Sequence, residues 1–223
     1  MGDIGPAQYF VGLNGRMRTV AKATGAPDGV VDADSDVFFA PVLPSGHYTS
    51  DPRVRYDRRL GRWIVLMISV GVPNRVLLAM SSNAVISATT TWAYFSWQNT
   101  RTQGGGGSVA CLADYPSLGI DEDALYIGVN QFCGGSLAFD STSVYVVNKA
   151  ALVNGTLSVS AFDGVLPTSS SPGLFTPQGV DNFDTGTDEG YVIGVSNTAF
   201  GELRLRRVVN PGGGEYAATL YRP

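Results

Sequence analysis

The sequence predicts an all-β protein, a small β-propeller of about four four-stranded antiparallel blades. Of its 223 residues, 28 are Gly and 12 are Pro, which favours many turns and few long helices. Short segments rich in Val, Ile, Tyr, Phe and Trp recur between Gly, Asp and Asn turns, which is typical of antiparallel strands. An Asp-containing strand, a turn and an apolar strand recur at a spacing of about fifty residues, the spacing of propeller blades.

Each repeat opens with two strands joined by a turn. The second strand of the later copies is continuously apolar, which predicts that packed blades cover both faces of the sheet. A β-sandwich is the alternative, but it has no reason to repeat this unit. The opening strand pairs lie in 2–14, 50–68, 113–130 and 177–197, the third strands in 17–23, 75–80, 143–148 and 202–209, and the fourth strands in 37–42, 92–97, 157–162 and 216–221.

The predicted domain organisation is one propeller over 1–223, with blades at about 1–46, 47–110, 111–175 and 176–223. Residues 148–153 could form one helical turn between two strands. Loop-like sequences rich in Gly or Ser lie at 103–108, 168–172 and 211–214, and the first has the composition of an engineered linker.

Composition narrows the classes of partner and location. The net charge is −4 and no basic stripe is present, so a nucleic acid partner is not expected. No apolar run is long enough to cross a membrane. The first residues lack a basic region followed by an apolar stretch, so no signal peptide is predicted. We expect an extracellular or periplasmic protein, present here as a mature or excised part.

Two segments carry a resemblance to known proteins. The first reads Asp51-Pro-Arg-Val-Arg-Tyr-Asp57, followed by Gly61-Arg-Trp63, and the second reads Asp114-Tyr-Pro-Ser-Leu-Gly-Ile-Asp121, followed by Ala124-Leu-Tyr-Ile-Gly-Val-Asn130. They resemble the blade repeats of bacterial, exported β-propeller proteins of undefined function. The resemblance covers most of the chain. It implies a propeller and brings no established activity with it.

A second likeness is to five-bladed glycoside hydrolases, whose inner strands open with a motif similar to Asp51-Pro52. Acids of this motif line the central cleft in those enzymes. Glycoside hydrolysis normally uses two facing carboxyl groups, and no glutamate of this chain stands at the start of a predicted inner strand. The glutamates are Glu122, Glu189, Glu202 and Glu215.

Propeller geometry would gather one set of polar residues at one mouth of the channel. Carboxylates brought together raise each other's pKa or recruit a cation, and Ca²⁺ accepts mixed carboxylate and amide oxygens. Calcium-dependent lactonase and phosphotriesterase propellers resemble this arrangement in architecture. The alternative is that the acids cap turns. The predicted metal ligands are Asp3, Asp51 and Asp114 at strand-one starts, where Gln178 is the fourth equivalent, and Asn14, Asn130 and Asn197 at strand-two ends.

Candidate catalytic residues lie beside that set. His47 is the single histidine and suits acid–base work near neutral pH, together with Asp51 and Asp114. Arg53 and Arg55, with Gln178, are candidate substrate-binding residues, although pairing of the arginines with the acids is the favoured interpretation. Capping of the strand-one hairpins is expected of Asp57, Asp121 and Asp181.

The two cysteines predict a disulfide. Cys111 and Cys133 are nearly equidistant from the turn at Glu122, so antiparallel pairing would bring them face to face. The bond requires an oxidising compartment.

Three functions follow as hypotheses. The first is a Ca²⁺-assisted hydrolase of a small ester, lactone or phosphoester at the channel mouth. The second is a non-catalytic binding or scaffold propeller with a structural ion or capped turns, and the third is a glycoside-hydrolase-like propeller. The expected partners are a small-molecule or glycan ligand and a second copy that completes a larger ring.

Overall fold

The computed structural model describes residues 1–102, 108–166, 173–186, 188–213 and 219–221. Over these residues the chain forms four antiparallel sheets and two short helices, and neither helix has the length and apolar character needed to span a bilayer. The chain divides into two compact units, Met1–Asn99 and Thr100–Pro223. The prediction of an all-β protein with four antiparallel sheets is confirmed.

The first sheet of the first unit is a simple meander. Its strands are β1 (Gly2–Ile4), β2 (Gln8–Leu13), β3 (Arg16–Ala21) and β4 (Pro27–Ala33), paired in that order. The predicted fourth strand at 37–42 is wrong, because helix α1 (Ser35–Phe38) lies there instead.

Two local features explain the helix. The Asp34 carboxylate accepts a hydrogen bond from the Asp36 N–H at 2.7 Å and so caps the helix start. Phe38 and Phe39 are both buried in one apolar cluster, whereas neighbouring residues of a strand would point to opposite faces.

The second sheet of this unit contains β5 (Tyr48–Asp57), β6 (Arg62–Val70), β7 (Arg75–Ser81) and β8 (Trp92–Gln98). Every residue of β6 from Trp63 to Ser69 is buried, so the prediction that both faces are covered is confirmed for this strand. The core between the two sheets contains Phe10, Met17, Trp63, Val65, Met67 and Leu77.

The second unit begins with a sheet whose first strand is interrupted. Strands β10 (Ser108–Asp114) and β11 (Gly119–Ile120) both pair with β12 (Ala124–Cys133). The order continues to β13 (Ala138–Asn148) and β14 (Val159–Leu166), with β9 (Thr100–Thr102) beside β10. The predicted helical turn is confirmed as α2 (Lys149–Val153), which Asn148 caps by accepting from the Ala151 N–H at 2.7 Å.

The fourth sheet contains β15 (Leu174–Gly179), β16 (Glu189–Ser196), β17 (Leu203–Val209) and β18 (Thr219–Tyr221). Along β16 exposure alternates: Val192 is buried and Val195 is exposed. Double-sided coverage is therefore confirmed for β6 and β12 but not for β16. The predicted loops at 103–107, 168–172 and 214 and the strand residues 216–218 lie outside the described residues.

Candidate functional site

The predicted neighbours Asn14 and Asp51 lie together in the first unit. The Asn14 Oδ1 atom accepts a hydrogen bond from the backbone N–H of Asp51 at 2.8 Å. A Cβ atom added at Gly12 would lie 3.0 Å from the Cβ atom of Pro52, so the glycine lets the proline approach. Asp51 has a φ of 55° and lies in a β-bulge of β5.

The second unit repeats this arrangement. Asn130 Oδ1 accepts from the Thr176 N–H at 3.2 Å, and Thr176 has a φ of 51°. A Cβ atom at Gly128 would lie 2.1 Å from the carbonyl oxygen of Pro177. We call each arrangement an Asn–Pro clasp; the two clasps are Gly12, Asn14, Asp51 and Pro52, and Gly128, Asn130, Thr176 and Pro177.

The positive-φ residues correct the alignment of the repeats. Each of Asp51, Tyr115 and Thr176 has a φ between 51° and 55° and directly precedes a proline. A positive φ is uncommon outside glycine, so these three are the equivalent positions. Asp114 lies one residue before its equivalent, and Gln178 lies two residues after. A carboxylate therefore occupies this position in one of the three repeats.

Asp3 holds a strand of the neighbouring repeat. Its Oδ1 atom accepts from the Ile4 N–H and its Oδ2 atom accepts from the Tyr56 N–H, each at 2.7 Å. The side chain therefore joins β1 to β5. In the second unit, Asp181 Oδ1 accepts from the Ile120 N–H at 3.0 Å. This bond joins the Asp181 carboxylate to β11 of the third sheet. The sequence predicted that Asp181 would cap the hairpin formed by the first two strands of its own repeat.

The other two hairpin aspartates behave as predicted. Asp57 Oδ1 accepts from the backbone N–H groups of Arg59 and Leu60 at 2.9 and 3.1 Å. Asp121 Oδ1 accepts in the same way from residues 123 and 124 at 2.9 and 2.8 Å. Capping by these two residues is confirmed.

Three predicted site residues of the second unit surround Thr176. Asp114 is directly opposite Asn130 in the β10–β12 pair, and Asn130 bonds the Thr176 N–H. Gln178 Nε2 donates to the Thr176 carbonyl oxygen at 3.2 Å. Asn197 directly follows β16, and its Oδ1 atom accepts from the Gly173 N–H at 3.0 Å.

His47 packs at the turn between β6 and β7. Its Nδ1 atom lies 3.2 Å from the Ser69 Oγ atom, which also accepts from the Arg75 N–H at 2.9 Å. A Cβ atom at Gly71 would lie 2.5 Å from the imidazole. These contacts hold the ring against the end of β6.

The two arginines of β5 bond the backbone. Arg53 Nη1 donates to the Pro52 carbonyl oxygen and Arg55 Nη1 donates to the Val54 carbonyl oxygen, both at 3.0 Å. Arg53 is buried. Both guanidinium groups are therefore held along their own strand.

The fit of a metal ion can be judged from the ligand geometry. Within residues 1–102, 108–166, 173–186, 188–213 and 219–221, no three His, Cys, Asp or Glu side chains come close enough to hold one ion. The predicted ligand oxygens of Asp3, Asn14, Asn130 and Asn197 each accept a backbone N–H. The predicted ligands come from both units, so Ca²⁺ binding by this set of residues stays a prediction.

A buried polar cluster that the sequence pattern does not predict lies in the second unit. The Tyr126 hydroxyl donates to the Asp121 carboxylate, and the Lys149 Nζ donates to the Asp121 carbonyl oxygen. All three residues are buried. Burial, together with the charge and hydrogen bond of Asp121, raises the pKa of the Tyr126 hydroxyl.

This raised pKa predicts a loss of stability at high pH. An unfolded tyrosine releases its proton near pH 10, whereas folded Tyr126 keeps it, so the unfolded state binds fewer protons above that pH. The stabilisation is complete below about pH 10 and falls above it by up to about 1.4 kcal/mol per pH unit. In urea unfolding between pH 8 and pH 11, Tyr126→Phe should show a shallower decline than the wild type. The exposed control Tyr48→Phe should keep the wild-type slope; equal slopes for both variants would contradict the assignment.

The predicted disulfide is confirmed. Cys111 and Cys133 lie directly opposite each other in the β10–β12 pair and are joined by an S–S bond. The bond links residues 22 positions apart, so it restricts the unfolded chain.

Removing this bond should lower the free energy of unfolding by about 3 kcal/mol, the chain-entropy value for a loop of this size. The variant is Cys111→Ser with Cys133→Ser, measured by urea unfolding. Because the chain contains 2 cysteines, a reducing agent should destabilise the wild type by the same amount and leave the variant unchanged. If a reducing agent left the free energy of unfolding of the wild type unchanged, the disulfide would not stabilise the protein.

An apolar cleft lies against the fourth sheet, beside Tyr115 of the segment between β10 and β11. Its volume is about 390 Å³. Gln178 is the predicted site residue that lines it. The other lining residues include Tyr115, Phe175, Ile193, Val195 and Leu203.

Together these features define an all-β protein of paired antiparallel sheets, each pair joined by an Asn–Pro clasp. No family model matches the sequence, and no curated protein matches it significantly. Two solved structures show a distant likeness, both of mutant forms of the Synechocystis apocarotenoid oxygenase, with identities of 10% and 9% and TM-scores of 0.42 and 0.43. They cover 93% and 98% of this chain but 44% and 47% of the oxygenase chain. The chain thus spans less than half the length of that protein.

Proposed function

We propose that the chain is a non-catalytic binding or scaffold module, whose predicted site residues hold strands together. The observation that carries this proposal is the hydrogen bonding of the predicted ligands. Side-chain oxygens of Asp3, Asn14, Asn130 and Asn197 accept backbone N–H groups at 2.7 to 3.2 Å. At residues 51 and 176 these bonds satisfy backbone donors that the bulges remove from the strand ladder.

A hydrolase would need the predicted site residues to face a substrate or an ion and not the backbone. A Ca²⁺-assisted hydrolase or a glycoside-hydrolase-like enzyme needs carboxylates directed at a substrate or an ion. Asn14 instead presents its oxygen to the Asp51 backbone, and a cation would compete with that N–H group. His47, the candidate acid–base residue, contacts Ser69. These contacts support the scaffold proposal over the hydrolase hypothesis.

One experiment separates the two hypotheses. The chain is incubated with a panel of esters, lactones, phosphoesters and aryl glycosides, with Ca²⁺ or with chelator, and its melting temperature is followed. The scaffold proposal expects no turnover above background and a melting temperature that chelator leaves unchanged. Turnover that is lost in Asp51→Gly or Asp114→Ala would overturn it, as would a melting temperature that depends on Ca²⁺.

Asp51→Gly is the informative variant because glycine adopts a positive φ without a Cβ penalty. The clasp uses the N–H of residue 51, which glycine keeps. The scaffold proposal therefore expects a stability at or above that of the wild type. An Asp51→Gly variant whose free energy of unfolding is clearly lower than that of the wild type would count against the scaffold proposal.

The disulfide supports the proposal of an extracellular or periplasmic location, since such bonds persist in oxidising compartments. A small-molecule or glycan ligand stays a proposal; the cleft at the fourth sheet is the place where binding should be sought, by NMR titration.

A further inference from the structure

The first sheet exposes one apolar face. Ile4 and Tyr9 are directly opposite each other in the β1–β2 pair, and Leu13 follows on the same side of β2. All three are exposed, Leu13 by 57%. The alternate residues Phe10 and Gly12 are buried on the side of β5 and β6. We call Ile4, Tyr9 and Leu13 the first-sheet face.

The fourth sheet also exposes an apolar face. Phe175, Val195 and Leu203 are directly opposite one another across β15, β16 and β17. They are exposed, Leu203 by 65%, and so is Leu205. We call these four residues the fourth-sheet face. Contiguous apolar patches of this kind on a soluble protein commonly mark contact surfaces.

The two units follow one packing rule. In each clasp, the glycine of the earlier sheet meets the proline of the next sheet: Gly12 meets Pro52, and Gly128 meets Pro177. Each sheet therefore has a leading face, directed at the next repeat, and a trailing face, directed at the previous one. The first sheet uses its leading face in this way, and the fourth sheet uses its trailing face.

The exposed faces are the complementary pair. The first-sheet face is a trailing face and the fourth-sheet face is a leading face. A leading face against a trailing face is the combination that is buried inside each unit. The fourth-sheet face also contains the cleft of about 390 Å³, whereas the first-sheet face presents the projecting side chains of Tyr9 and Leu13.

We propose that the fourth-sheet face of one copy of this chain docks on the first-sheet face of a second copy. Apolar side chains of the first-sheet face fill the cleft on its partner, and the burial of both faces drives association. Each copy has one face of each kind, so the contact is head-to-tail. Such contacts close into a ring or continue as a chain of copies.

Light scattering and native mass spectrometry test the proposal. The wild type is expected to form a dimer or a larger assembly, with dissociation on dilution. Leu13→Glu and Leu203→Glu each place a charge in the contact, and each should weaken association at least tenfold. The controls Val37→Glu and Val153→Glu alter exposed valines of α1 and α2 outside both faces and should assemble like the wild type.

Mixing the two charged variants tests the head-to-tail geometry. The Leu13→Glu copy keeps an intact fourth-sheet face and the Leu203→Glu copy keeps an intact first-sheet face, so one good contact remains. A 1:1 heterodimer is expected although each variant alone is monomeric. Circular dichroism of each variant confirms that it is folded.

Three outcomes would overturn the proposal: a monomeric wild type, assembly that survives both charged variants, or a mixture that stays monomeric. The readout is mass and not turnover, so the result is independent of the proposed scaffold function.

Discussion

Replacing Gly128 by alanine should lower the free energy of unfolding by about 3 kcal/mol, the upper part of the usual range for overpacking. The added Cβ would lie 2.1 Å from the Pro177 carbonyl oxygen and 2.8 Å from its Cβ atom. Both belong to a strand of the next sheet, and the carbonyl is backbone, so no flexible side chain can move aside. Urea unfolding followed by circular dichroism measures the effect.

Gly135 provides the matched control for this substitution. A Cβ atom there meets nothing within 4 Å, and the residue is exposed in the turn between β12 and β13. Gly135→Ala should change the free energy of unfolding by less than about 0.5 kcal/mol. If Gly128→Ala and Gly135→Ala were equally stable, the two sheets would not approach each other closely at Gly128 and Pro177.

Truncating Trp63 to alanine should cost about 4 kcal/mol, within the range for large buried aromatic side chains. Trp63 is fully buried, and its ring centroid lies 5.8 Å from Phe10 and 5.1 Å from Tyr56. Its Nε1–H also donates to the Ala84 carbonyl oxygen at 2.9 Å, which alanine leaves without that donor. The loss combines a cavity with a broken buried hydrogen bond.

The measurement is again chemical unfolding, with Phe200→Ala as the control. Phe200 is fully exposed in the turn between β16 and β17, so its removal should have almost no effect. A Trp63→Ala protein as stable as this control would exclude Trp63 from the core of the first unit.

The strands that the sequence predicts best are those with a strong apolar pattern. β6, β7 and β8 lie where they were predicted, and β6 and β7 are runs of large apolar residues that are buried along most of their length. The fourth strand of the first repeat was misplaced by about ten residues. Its true position, Pro27–Ala33, contains two aspartates and a glycine, so its hydrophobic pattern is weaker than that of the following Phe38-Phe39.

The sequence predicts one part of the Asn–Pro clasps. Asn14 and Asn130 were recognised as equivalent, and each does reach the opening strand of the next repeat. Aligning the opening strands on their polar residues makes Asp114 and Gln178 equivalent to Asp51. The structure shows that the equivalents of Asp51 are Tyr115 and Thr176. The prolines at 52, 116 and 177 are the better guide, because each follows a residue with a φ between 51° and 55°. The clasps bond the N–H of that residue at 51 and at 176.

The disulfide and the buried hydrogen bond of Tyr126 differ in how far the sequence predicts them. Cys111 and Cys133 could be paired because an antiparallel hairpin fixes which residues face each other. The bond between Tyr126 and Asp121 depends instead on how a strand residue tilts within a buried interior. A tyrosine in an apolar strand gives no indication of whether its hydroxyl is bonded.

The hydrogen bond of each Asn–Pro clasp uses the backbone N–H of a residue and not its side chain. It engages the N–H of residue 51 in one unit and of residue 176 in the other, and these residues are an aspartate and a threonine. The backbone at this position is thus fixed while its side chain is open to variation. A substitution of either side chain should therefore leave the joint between the two sheets of its unit in place.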